Sequence, residues 1–111
     1  MPKICRKGDP LNTGHDCTTT STLDTPTGND SVKVEGKLVA RVDDKTVQHT
    51  EKTGTDSNGD DICTNHRGSI SAYSEPNVFV VGKAVARVGD GVDVGLPNGK
   101  MTGGASTVSV N

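Results

Sequence analysis

His15, His49, Cys63 and His66 are the residues whose types and spacing could do chemistry. Cys63 and His66 stand in the run Cys63-Thr64-Asn65-His66, a spacing that lets both side chains reach one ion from a single turn. With His15 and His49 they make a tetrahedral set of three imidazoles and one thiolate, and the set uses every histidine of the chain. Taken singly, each histidine reads as a solvated side chain in a polar loop; taken together they read as a metal site. Zinc suits these donors best, and iron is the alternative. Cys17, shortly after His15, competes with Cys63 as the sulfur donor, and the Cys-x-x-His spacing favours Cys63. Three cysteines cannot all pair with one another, so a disulfide scaffold is a poor fit.

Other chemistries fit less well. Asp56-Ser57-Asn58-Gly59-Asp60-Asp61 invites a calcium reading, but an EF-hand loop needs glycine sixth and glutamate twelfth. Here Gly59 comes too early and Arg67 takes the last place, so the string reads as an Asn58-Gly59 turn. A cysteine nucleophile, or a hydrolytic zinc, lacks a carboxylate at suitable spacing, and four protein ligands leave the ion no open position. The chain is therefore not expected to be an enzyme.

The elements that must position these residues come from a repeat. Val32-Lys33-Val34-Glu35-Gly36-Lys37-Leu38-Val39-Ala40-Arg41-Val42-Asp43-Asp44 recurs as Val78-Phe79-Val80-Val81-Gly82-Lys83-Ala84-Val85-Ala86-Arg87-Val88-Gly89-Asp90. Each copy alternates apolar residues about a glycine, which predicts a β-hairpin turning at Glu35-Gly36 or Val81-Gly82. Lys3-Ile4-Cys5-Arg6-Lys7-Gly8-Asp9 aligns with the second strand of the repeat. Ala105-Ser106-Thr107-Val108-Ser109-Val110-Asn111 aligns with the first.

The chain thus reads as a single domain, residues 1–111, built from a half-hairpin (3–9), hairpins over 31–44 and 77–90, and a half-hairpin (105–111). A long loop spans 45–76. The two termini are expected to pair and complete a third hairpin, giving an all-β fold with pseudo-threefold symmetry. Arg6, Arg41 and Arg87 are then equivalent, as are Asp9, Asp44 and Asp90, and their repetition predicts structural capping. Cys5 aligns with Ala40 and Ala86 and should fill a small buried slot. His15 and His49 leave equivalent ends of equivalent units. The third arm has Leu96 where a histidine would stand, and Cys63 with His66 is expected to fill the gap.

Composition narrows the partners. Of 111 residues 30% are hydrophobic, and Tyr73 and Phe79 are the only aromatics, so the core must be thin and a metal staple is useful. A formal net charge of −2 without a basic block argues against nucleic acid. No apolar stretch reaches the length of a membrane span or signal-peptide core, so neither stable membrane insertion nor a signal peptide is expected.

The hairpin over 77–90, the Gly8-Asp9 to His15 segment and Cys63-Thr64-Asn65-His66-Arg67-Gly68 together resemble the PAAR-repeat proteins, over nearly the whole chain. The name-giving tetrad is represented by Ala84-Val85-Ala86-Arg87 and Leu38-Val39-Ala40-Arg41, where only its last two letters survive. The resemblance implies a small conical β-fold with a zinc-stapled apex held by three histidines and one cysteine. It implies a tip that caps a trimeric β-helical spike, one tip per trimer, with transient contact to a target cell envelope. The stretch Gly8 to His15 is similar to contractile phage tail tips, which implies location in the virion. A type VI secretion tip, exported by the contractile apparatus, is the alternative, and a zinc-stabilised interaction module unrelated to spikes is another. The span of the resemblance leaves no room for a fused toxin, so a stand-alone tip is expected.

Overall fold

The computed structural model describes residues 2–14, 17–72, 77–93 and 99–110. Among these residues it is all β and has no helix. The strands are β1 (Pro10–Asn12), β2 (Thr20–Thr22), β3 (Lys33–Val34), β4 (Lys37–Leu38), β5 (His49–Thr55) and β6 (Asp61–His66). They continue with β7 (Ile70–Ser71), β8 (Phe79–Val80), β9 (Lys83–Ala84), β10 (Gly91–Val92) and β11 (Gly99–Met101).

Two-residue turns close β3 on β4 and β8 on β9. Glu35 and Gly36 (φ 52° and 82°), like Val81 and Gly82 (48° and 80°), all sit in the left-handed region. That is the backbone of the hairpin turn whose twist matches paired strands. In both hairpins a further bond, Val39 N to Val32 O and Val85 N to Val78 O, measures 3.0 Å. The chain ends reproduce it: Ile4 N donates to Val108 O at 3.0 Å, and Lys3 bridges Ser109 in antiparallel sense. The third hairpin is therefore made of two segments a whole chain apart.

The three units close on one another through a cyclic set of backbone bonds. Cys5 N donates to Ala86 O, Ala86 N to Ala40 O, and Ala40 N to Cys5 O, at 2.9, 2.9 and 3.0 Å. A second cycle runs from Lys7 to Leu38, Val42 to Ala84, and Val88 to Lys3. All three residues of the inner triangle have no exposed surface. Only small side chains fit where three backbones converge, which is why cysteine occupies the place of alanine in the first unit.

Pleating sends alternate side chains to either side of this triangle. On one side Ile4, Val39, Val85 and Ala105 form a layer backed by Val34, Val80, Val108 and Val110. On the other, Leu11, Leu23, Ile70, Val92 and Met101 form the larger cluster with Cys5, Ala40 and Ala86. The second cluster is enclosed by an antiparallel sheet in the order β2-β1-β11-β10-β7. Residues 45 and 46 close it into a ring, since Leu23 bridges Thr46 and Lys45 bridges Ser69. Each loop following a repeat thus contributes two short staves, and six staves surround the core.

Aspartates cap the turns where strands become loops. Arg6 N, Arg41 N and Arg87 N donate to Asp9, Asp44 and Asp90 carboxylates at 2.7, 2.7 and 2.8 Å. Gly8, Asp43 and Gly89 hold the positive φ that each turn needs. The arginine side chains do more than pair. Arg6 bonds Asp9 at 3.0 Å, while the Arg41 guanidinium reaches Thr27 O and, at 2.8 Å, Val81 O in the next hairpin's turn.

One element leaves the body. β5 pairs with β6 in a hairpin with an irregularity between Lys52 and Gly54. The molecule measures 48 × 25 × 24 Å, and the excess length matches the ~23 Å that a seven-residue strand spans. At the hairpin's end Asp56 Oδ1 accepts from Asn58 N and Asp60 N at 2.9 and 3.0 Å, and Gly59 has φ 85°. The aspartate-rich string is a self-satisfied turn.

Candidate metal centre

The site begins with a break in the core's symmetry. Leu11 and Val92 fill the ring from the first and third units, two residues past their capping aspartates. The second unit has Thr46 in that position, fully buried. A hydroxyl buried among apolar groups needs partners. Thr46 Oγ1 accepts from Gly68 N at 3.0 Å, lies 2.9 Å from Val47 O, and is 3.2 Å from His49 Nδ1. His49 Nδ1 is also 3.1 Å from Val47 O. A proton on Nδ1 satisfies that carbonyl and leaves Nε2 as the basic atom, the arrangement in which an outer partner orients a metal-binding imidazole.

β5 and β6 supply the second imidazole. Their register sets His49 directly opposite His66, so both side chains share one face. The rings meet edge to face with centroids 5.2 Å apart. β10 supplies a carboxylate. Asp93 follows Val92 and turns back at φ 57°, placing Oδ2 2.7 Å from His66 Nε2. Gly68 makes room for it, because a Cβ there would come within 2.5 Å of Oδ2. Glu51 stands beyond, 3.9 Å from His66 Nδ1.

One ligand atom from each of His49, His66 and Asp93 lies within 4.8 Å of the others. Two imidazoles and a carboxylate are a set that can hold a metal ion. His49 is buried, and the other two are half-buried. His49 and His66, both expected as ligands from sequence, are thus brought together. His15 lies outside the described residues.

Cys63 departs from its expected role as the sulfur ligand. It is joined to Cys17 in a disulfide, with an S–S distance of 2.02 Å and Cα atoms 6.1 Å apart. A sulfur so bonded is no thiolate donor. The local backbone gives a second reason. Cys63-Thr64-Asn65-His66 is not a turn but continuous β6, where residues three apart point to opposite faces. The chain therefore does contain a disulfide, and Cys17 enters it instead of competing for metal. Cys5 alone keeps a free thiol, buried in the inner triangle; burial first, then the Asp9 and Asp90 carboxylates, push its pKa up.

Asp93 and Thr46 are the residues that sequence spacing did not single out. A third arm searched for histidine alone overlooks a carboxylate, an equally good zinc donor. Thr46 carries a legible signal, as the one polar residue among three repeat-equivalent positions with Leu11 and Val92. No family model matches the chain, and no curated protein matches it.

Proposed function

We propose that this protein is a non-catalytic, metal-stapled tip that caps a trimeric β-helical spike of a contractile injection machine, most naturally a phage tail. The observation that carries this reading is the cyclic closure of three hairpin units around one axis. A single chain with three similar edges can dock on a threefold partner through three similar contacts. Strand edges at that end offer main-chain bonds for extension of a partner's β-structure.

The apolar surface points the same way. Phe79 and Val81 are 60% and 59% exposed, and Val32 and Val78 lie beside them in the repeat as exposed valines. In the apolar layer beneath, Val34 and Val80, on the same strand faces as Val32 and Val78, back the core. Val81 is notable for its backbone, since a β-branched residue rarely occupies positive φ. An apolar, strained and exposed turn residue is useful to a docking surface and has no use to a solvated one.

Zinc is the proposed ion, held by His49, His66 and Asp93, with His15 as a further ligand. It would tie β5–β6 to β10 near loops too polar to pack. The alternative owner is a type VI secretion apparatus, which would use the same surface.

Mixing the protein with trimeric β-helical spikes from phage tails and secretion systems, and weighing the products by light scattering, tests the reading. A complex of one tip to three spike chains is expected, lost in Phe79→Glu/Val81→Asp. Failure of the wild-type protein to bind any such spike would leave only a metal-stabilised interaction module of another kind.

A further inference from the structure

The β5–β6 hairpin is attached to the body on both faces, by different chemistry. On the face carrying His49 and His66, the link is His66 to Asp93 of β10's end. On the opposite face lie Thr50, Lys52, Cys63 and Asn65, as the register requires. There Cys17 is bonded to Cys63, and Thr18 Oγ1 lies 2.6 Å from Thr50 Oγ1. The segment bearing Cys17 is itself fixed to the ring, because Thr13 N donates to Thr19 O at 3.0 Å. Beyond these attachments the hairpin is polar and exposed, and its one large apolar side chain, Ile62, is 44% exposed. Apolar burial therefore does not set its direction. Among the described residues, polar contacts on the two faces and one covalent bond, the disulfide, set it.

We propose that Cys17 and Cys63 form a redox-operated clamp: the disulfide fixes the hairpin rigidly to the body, and its reduction leaves the hairpin held only by non-covalent contacts, His66 to Asp93 on one face and Thr18 to Thr50 on the other. Closure is thiol–disulfide exchange with a low-molecular-weight disulfide. One protein thiolate attacks it, forms a mixed disulfide and releases one small thiol. The second protein thiolate then displaces the other small thiol. Two protein thiols are oxidised, one small disulfide is reduced to two thiols, and the two protons leave with those thiols. A dithiol reductant reverses the sequence, and exposed Cys63 gives it access. Cys5, buried in the inner triangle, takes no part. The clamp is open in a reducing compartment and closed in an oxidising one, and it does not depend on what the molecule docks to.

The test uses the full chain, treated with glutathione disulfide or with dithiothreitol. Alkylation after denaturation, read by mass, should find one free thiol in the first sample and three in the second. Amide hydrogen exchange should then be about tenfold faster or more through β5 and β6 in the reduced protein, with the Cys5, Ala40 and Ala86 amides unchanged. Cys17→Ser and Cys63→Ser should each reproduce the reduced pattern in both conditions. The proposal is overturned by equal exchange in the two samples, or by three free thiols after oxidation. It is also overturned if cobalt(II) added to reduced protein gives a thiolate-to-metal absorption band that Cys63→Ser abolishes, since Cys63 would then belong to the metal centre.

Discussion

At the scale of single residues, Thr46 and His49 of the candidate metal centre form one unit. Thr46→Val keeps the shape and removes the hydroxyl, leaving Gly68 N without its bond from that atom and releasing the orientation of His49. An amide stripped of its partner in the interior costs about 1–3 kcal/mol, so urea unfolding should show a loss of that size. If the centre holds an ion, its affinity should fall as well, about tenfold or more, the usual cost of removing an outer partner of a ligating histidine. If an ion is structural here, chelation or His49→Ala should lower the melting temperature strongly, because structural zinc in small domains contributes ~10 kcal/mol or more. A melting curve indifferent to chelator would refute a structural ion. His49 and His66 were legible because chemistry restricts metal ligands to few residue types. Asp93 was not, since acidic residues are common and its position depends on a left-handed turn past Val92. A Cys-x-x-His spacing reaches one ion only on a turn, and β6 is a strand, so Cys63 lies on the face opposite His66.

At the scale of elements, the hairpins were readable because their turns and alternation are local properties. Glycine after a residue that must take positive φ, flanked by alternating valines, leaves few other structures. The ring of short staves was not readable. Its strands are two or three residues long, too short for any period, and they exist because the neighbouring units hold them. The turns also carry a prediction. Val81 occupies a position where asparagine is favoured and a β-branched side chain is strained. Val81→Asn should raise stability by about 1 kcal/mol in denaturant unfolding, while weakening any complex with a trimeric spike. Stabilisation with undiminished spike binding would detach Val81 from docking and leave its strain without a function.

For the whole molecule, the decisive event is closure of the third unit from two chain ends, and Glu35 secures it. The first hairpin's turn residue accepts from Ser106 N and Oγ at 3.1 Å each, and from Thr107 N and Oγ1 at 2.9 and 2.7 Å. Arg6 adds an ion pair at 3.1 Å. Hydrogen bonds from Thr107, side chain first and then backbone, followed by those from Ser106, bring the Glu35 pKa from 4.5 down to about 2. The sign follows from linkage: a carboxylate with a depressed folded pKa stabilises the fold above its unfolded value, and that contribution disappears as pH falls through the folded value. Unfolding of the wild type should therefore become easier between about pH 4.5 and pH 2, with the chain ends opening first in hydrogen exchange. Glu35→Gln removes the charge and keeps the side chain's shape. It should be less stable than wild type at neutral pH, and the gap between the two should close across that same acid window. Urea midpoints measured from pH 7 to pH 2 read this directly, and two parallel curves would show that the termini are held by strand pairing alone.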